Sequence, residues 1–223
     1  MAPTALAAQA HNPARLSFEA RAGYTIPTRE LGRTGILGTP RQGYLAFEEM
    51  EAGPIFGAGL AAHLSGPFSV RMTGDYAPET DARGQFFCEI TTPCPAVLQL
   101  VEAQVRRWSV GADLQLRLPH VVAAVEPTLF VGVVRRTHQV RWESPILEVP
   151  IPTSYDRSSY YLRPGIGVSR STGPVALFLE AEAVIGDFGE TPFPPGTVPP
   201  DQLGDPRRQV DLGLTAGVRL RVW

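Results

Sequence analysis

From residue 210 to residue 222 the apolar and polar positions of the chain alternate without a break. Val210, Leu212, Leu214, Ala216, Val218, Leu220 and Val222 fill one register; Asp211, Gly213, Thr215, Gly217, Arg219 and Arg221 fill the other. A period of two marks a β-strand, because successive side chains point to opposite faces. The pattern recurs in seven earlier segments. Residues 16–26 set Leu16, Phe18, Ala20, Ala22, Tyr24 and Ile26 against Ser17, Glu19, Arg21, Gly23 and Thr25. Residues 54–64 set Phe56, Ala58, Leu60, Ala62 and Leu64 against Gly57, Gly59, Ala61 and His63. Residues 68–76 set Phe68, Val70, Met72, Gly74 and Tyr76 against Ser69, Arg71, Thr73 and Asp75. Residues 107–118 are equally regular, with Trp108, Val110, Ala112, Leu114, Leu116 and Leu118 opposing Ser109, Gly111, Asp113, Gln115 and Arg117. Residues 127–137 alternate less cleanly, Leu129, Val131 and Val133 against Thr128, Phe130, Gly132, Val134 and Arg136. Residues 160–169 and 175–185 complete the set, with Arg163, Gly165 and Gly167, then Phe178, Glu180 and Glu182, opposite the apolar register.

The eight predicted strands are joined by connections that alternate long, short, long, short, long, short, long. The long ones are 27–53, 77–105, 138–159 and 186–209; the short ones are 65–67, 119–126 and 170–174. Within the second long connection, 95–105 reads either as a short helix begun by Pro95 or as an extension of the next strand. Pro164 is awkward in a paired ladder and predicts a bulge. An even strand number and strictly asymmetric connections are features of transmembrane barrels. Strands of about nine to eleven residues are long enough to cross the bilayer at a tilt. The prediction is therefore an all-β, eight-stranded, antiparallel up-and-down transmembrane barrel over 16–223, with four long external loops, three short periplasmic turns, and a tail over 1–15.

Two orientations of such a barrel are conceivable. In a soluble barrel the oily register would point inward. Against that, the polar register carries Gly57, Gly59, Gly111, Gly132, Gly165, Gly167, Gly213 and Gly217. Glycine weakens a strand that merely faces water, whereas in a narrow lumen it makes room for large neighbours. The polar register thus faces in and the oily one faces lipid. On this reading the lumen holds Glu19, Arg21, Arg71, Asp75, Asp113, Arg117, Arg136, Arg163, Glu180, Glu182, Asp211, Arg219 and Arg221. Their signs nearly balance. Buried charges persist when paired and hydrogen-bonded, so they are expected to form a structural salt-bridge network that fills the bore. Tyr24, Tyr76, Trp108, Tyr160 and Tyr161 lie at the long-loop ends of strands, with Phe68 and Trp223 at the opposite ends. Those positions suit the aromatic belts of the two lipid interfaces.

Composition narrows the picture further. Mean hydropathy is −0.03 and 43% of residues are hydrophobic, which argues against disorder. No apolar run approaches the roughly 18 residues of a spanning helix. A net charge of −2 argues against a nucleic-acid binder driven by bulk electrostatics. Cys88 and Cys94, a close pair in a polar loop, are expected to form a local disulfide in an oxidising compartment, two reduced thiols being the alternative. No histidine or second cysteine pair accompanies them in sequence, so no metal site and no cofactor are expected. Near the N-terminus, Ala8-Gln9-Ala10 is like the small-residue end of an export signal.

The chain resembles the family of small eight-stranded outer-membrane β-barrels of Gram-negative bacteria, including the OmpA-like transmembrane domain and opacity-type porin-like proteins. The resemblance is carried by Val110-Gly111-Ala112-Asp113-Leu114, by Glu126-Pro127 to Gly132-Val133, and by Gly217-Val218-Arg219-Leu220-Arg221-Val222-Trp223. It implies outer-membrane localisation, outer-membrane lipid as the surroundings, and the barrel-assembly machinery as a partner during biogenesis. A terminal aromatic such as Trp223 is similar to the signal that machinery reads. The family usually has apolar residues two and four positions before it, where this chain has Arg221 and Arg219.

The function expected from these features is a monomeric, non-enzymatic membrane barrel with a structural or surface-contact role, narrow solute passage being a variant. Two other readings compete. A lipid-modifying enzyme would need a nucleophile and a base near the outer interface; His63, His138, Ser158 and Ser159 are the available groups, and no Gly-x-Ser-x-Gly elbow occurs. A soluble lipocalin-like carrier would have the opposite orientation of faces, and this chain lacks a Gly-x-Trp near the first strand.

Overall fold

The computed structural model describes residues 16–27, 32–38, 41–88, 99–119, 125–142, 154–187 and 208–222. Ten strands are present among them: β1 (Leu16–Pro27), β2 (Gly32–Gly38), β3 (Arg41–Met50), β4 (Gly53–Ser65), β5 (Phe68–Cys88), β6 (Gln99–Arg117), β7 (Glu126–Trp142), β8 (Ser154–Thr172), β9 (Val175–Asp187) and β10 (Arg208–Val222). Eight of them close a barrel. β4 pairs with β5, each later strand pairs with its successor through β10, and β1 joins β10 to β4. Every pairing is antiparallel. Closure leaves every backbone amide of the wall with a neighbouring strand, the condition for crossing hydrocarbon without water.

The two faces of the wall are inverted relative to a soluble barrel. Leu114 and Leu179 are 47% and 46% exposed, whereas Asp113 and Glu180, their neighbours in sequence, are 2% and 3% exposed. The same alternation runs along β1, where Leu16, Phe18, Tyr24 and Ile26 are exposed and Ser17, Glu19, Arg21 and Thr25 are buried. The soluble carrier reading, which needs the leucines inside, is thereby contradicted.

Two of the short turns share one device. β4 and β5 are joined by Gly66-Pro67, and β8 and β9 by Gly173-Pro174, with Ser65 paired to Phe68 and Thr172 to Val175. Both glycines have positive φ, 55° and 63°. Proline holds φ near −65° at the second position, which excludes a type I′ turn and fits type II′, a connection whose twist matches that of the strands.

The long-loop end departs from expectation. Residues 27–53 do not form a plain loop: β2 and β3 make a hairpin, and β3 pairs along Gly43–Met50 with the upper part of β5, Ala82–Cys88. β5 is 21 residues long, β6 and β8 are 19, and β7 is 17, well beyond the predicted spans. Their upper parts carry the sheet past the apolar band. There the outward positions turn polar while Ala103 and Val105 are buried on the inner side, so on β6 the alternation inverts while the ladder continues. Residues 99–105 are accordingly an extension of β6 and not a helix. Cys88 ends β5 instead of lying in a loop, and Cys94 lies outside the described residues, so the expected disulfide is not supported. Pro164 marks no bulge. It pairs with Val131, and β8 keeps one register against β9 on both sides of it, from Leu162–Ile185 to Gly165–Glu182. The shift in β5 falls instead between Ala77 and Thr80.

Candidate functional site

The inward register places six arginines and six carboxylates in the interior among the described residues. Arg21, Arg71, Arg107, Arg136, Arg163 and Arg219, with Glu19, Asp75, Asp113, Glu180, Glu182 and Asp211, are each no more than 6% exposed. Equal numbers of opposite charge are what a desolvated interior requires.

At mid-height the side chains close an alternating cycle. Arg21 on β1 donates to both oxygens of Asp75 on β5, at 2.8 and 2.5 Å. Asp75 also lies 3.5 Å from Arg163 on β8. Arg163 donates through Nε and Nη2 to Asp113 on β6, at 3.0, 2.8 and 2.7 Å. Asp113 accepts from Arg71 Nε at 2.9 Å. Arg71 Nη1 donates to Glu180 on β9 at 2.6 and 2.7 Å. Glu180 returns to Arg21 at 3.8 Å. Three arginines and three carboxylates thus alternate around a ring that ties together five strands. A branch runs toward the short turns: Glu19 lies 3.5 Å from Arg71 and accepts from Arg219 Nε at 2.7 Å. Bidentate and shared contacts of this kind are the strong form of the ion pair.

The packing around the ring explains the glycines. Gly132 is paired with Asp113 and Gly57 with Asp75; a Cβ on either would overlap the carboxylate of its partner. Gly165 and Gly217 make the same room for Phe130 and Phe178. Those two rings in turn cover guanidinium groups, Arg71 4.7 Å from the Phe130 centroid and Arg219 5.4 Å from that of Phe178. The large residue that each glycine accommodates sits on the adjacent strand, not across the bore.

A second cluster lies toward the long loops. Arg107 and Arg136 both contact Asp211, Arg107 at 3.3 Å, and Arg107 donates to the Thr25 hydroxyl at 2.5 Å. Arg136 stands over the Tyr161 ring at 5.3 Å, and His138 meets that ring edge-on at 6.4 Å. Beside it Ile55, Val134 and Val184 are buried on the inner side, and Ala77, Ala82, Ala103 and Val105 continue that apolar lining toward the long loops.

Most expected lumen residues are thus brought together. Arg117 and Arg221 are exceptions: they are half-buried at the short-turn mouth, where Arg221 donates to the Ser171 hydroxyl at 2.7 Å and lies 3.6 Å from Glu126. Tyr161 is a correction. It is 2% exposed and faces the lumen, because it shares the parity of Arg163. Tyr24, Trp108, Tyr160 and Phe68 do face outward, and the half-buried Tyr76 packs on Trp108 with ring centroids 4.4 Å apart. Trp223 lies outside the described residues. Arg107 and His138 are lumen residues the sequence reading passed over, although each continues an inward register by one step, Arg107 before Ser109 and His138 after Arg136.

Among the described residues, the enzyme reading's candidates Ser158 and His138 lie on opposite faces of the wall. Ser158 shares a 2.7 Å hydrogen bond with Thr137 on the outer wall, while His138 points into the lumen.

No family model matches the chain, and no curated protein matches it. Solved barrels do. Ail, the attachment invasion locus protein of Yersinia pestis, in complex with a heparin analogue, is 12% identical with a TM-score of 0.42, covering 92% of this chain and 99% of that one. The N-terminal β-barrel domain of Pseudomonas aeruginosa OprF is 9% identical with a TM-score of 0.44, covering 93% and 98%. The outer membrane protein AlkL in lipid bilayers is 12% identical with a TM-score of 0.36, covering 93% and 90%. These likenesses are distant, and what the chain does has to be argued from its own wall and lumen.

Proposed function

We propose that the chain is a non-enzymatic integral protein of a Gram-negative outer membrane, a sealed barrel that holds its long-loop end at the surface. The observation that carries this reading is the closed ring of Arg21, Asp75, Arg163, Asp113, Arg71 and Glu180 across the bore of a barrel whose outer wall is apolar. Eight strands enclose a lumen only wide enough for side chains or one small ligand. With that lumen packed by paired charges, solute passage is the weaker variant. A surface-contact role is supported by the upper sheet, in which the β2–β3 hairpin extends the tall wall of β5, β6, β7 and β8. On this reading the barrel is monomeric, its surroundings are outer-membrane lipid, and the barrel-assembly machinery inserts it.

Reconstitution into planar bilayers tests the sealed bore. The expected record is flat at the level of protein-free membrane. Stable, unitary conductance steps from folded protein would overturn the reading in favour of a solute pore.

A further inference from the structure

We propose that the outer wall at β6, β7 and β8 carries a docking site for the phosphate of an anionic phosphoglycolipid headgroup, centred on Arg135. The inference rests on the reading of the chain as an outer-membrane barrel. Along the outward face of β7, Leu129, Val131 and Val133 are exposed apolar residues, and the next outward residue is Arg135. Arg135 is exposed. It is paired with Val110 on β6 and Tyr160 on β8, which are 62% and 70% exposed. Its diagonal neighbours include Trp108 and Leu162, and none of these residues is acidic.

An arginine on a lipid-facing wall is tolerated only near the interface; at the midplane it costs about 2–4 kcal/mol, near the headgroups about 0–1. Trp108 and Tyr160 are aromatic residues of the kind that sit at headgroup level, and they bracket Arg135. The guanidinium therefore emerges where the apolar band ends and where lipid phosphates lie. Its planar fork matches a phosphate in bidentate fashion.

The next row up adds hydrogen-bonding capacity. Thr137 and Ser158 are paired across β7 and β8 and share a hydrogen bond of 2.7 Å on the outer face. Hydroxyls there suit the sugar or phosphate oxygens of a headgroup. One row higher, Arg106 is already engaged by Glu79 at 2.5 Å. Arg135 is thus a cation at the long-loop boundary of the apolar band whose paired and diagonal neighbours are not acidic, and charge complementarity selects an anionic lipid as its occupant.

The test uses the full chain in detergent micelles titrated with diphosphorylated lipid A or with the dephosphorylated glycolipid, bound lipid being counted by native mass spectrometry. Wild-type protein is expected to retain the phosphorylated lipid in preference. Arg135→Ala is expected to weaken that retention about tenfold, and Arg135→Lys to keep part of it. Both variants replace an exposed side chain, and a heat-modifiable band on gels verifies their folding. Equal retention of the two lipids by wild type, or undiminished preference in folded Arg135→Ala, would overturn the proposal while leaving the barrel reading intact. A wild-type chain that stays soluble without detergent would overturn both.

Discussion

Arg71 on β5 and Glu180 on β9 meet at 2.6 Å although their strands share no ladder. The contact spans the lumen between residues 109 apart in sequence, and neither side chain is more than 3% exposed. It is a cross-brace of the barrel, and Arg71 also holds Asp113 at 2.9 Å.

Removing this brace from one side is expected to be costly. Arg71→Met deprives Asp113 and Glu180 of a shared partner inside a desolvated lumen. Loss of one member of a buried pair typically costs about 3–5 kcal/mol. Urea unfolding from phospholipid vesicles should show a loss of that size. Pairing Arg71→Met with Glu180→Met should cost clearly less than the sum of the two single changes, since contacting residues are coupled.

The glycines of the inner face make a sharper comparison. A Cβ at Gly132 meets the Asp113 carboxylate, whereas one at Gly74 on the outer face meets nothing within 4 Å. Gly132→Ala is expected to destabilise the barrel by about 1–3 kcal/mol through overpacking. Gly74→Ala should be neutral or slightly stabilising, because alanine restricts the unfolded chain. Equal effects in the same unfolding assay would mean that the small residues of the inner face do not serve the ion ring.

The short turns give a third expectation. Gly66 and Gly173 both have positive φ, a region that costs other residues about 1–2 kcal/mol. Gly66→Ala and Gly173→Ala should each lower stability by about that amount, with no steric contribution, since nothing lies within 4 Å of a Cβ at either. Additivity in the double variant would agree with two independent turns.

Much of this was legible in the residues themselves. The alternation of Leu114 with Asp113 and of Leu179 with Glu180 gave strand, parity and the inversion of faces, because one face of a membrane barrel is held apolar by lipid. Only the band that touches lipid is constrained in this way. Above Trp108 on β6 the alternation continues with its faces exchanged, Ala103 and Val105 in and Glu102 and Gln104 out, and above Tyr76 on β5 it is broken by the shift between Ala77 and Thr80, so neither segment continues the outward-apolar pattern even though the two are paired. The β2–β3 hairpin was hidden for the same reason: Gly32–Gly38 reads Gly-Arg-Thr-Gly-Ile-Leu-Gly, without alternation. Arg107, His138 and Tyr161 were a different matter. Their parity is visible, but they sit at the ends of the predicted strands, and an aromatic near a strand end suits a lipid interface where the lumen is also available. The partners within the ring, such as Asp75 with Arg163, depend on stagger around the closed sheet, which alternation along single strands does not encode.

The central claim is that lipid covers the leucine register and the charged register is shut inside. Spin labels on cysteines at positions 114 and 179, compared with labels at Ser109 and Ser169, in protein whose Cys88 and Cys94 are replaced by serine and which is folded into lipid vesicles, test it most directly. The account predicts that labels at 114 and 179 collide freely with oxygen dissolved in the bilayer and escape a water-soluble nickel chelate, while those at 109 and 169 are shielded from both. Labels at 114 and 179 reached by the chelate, or shielded as in a packed core, would contradict it.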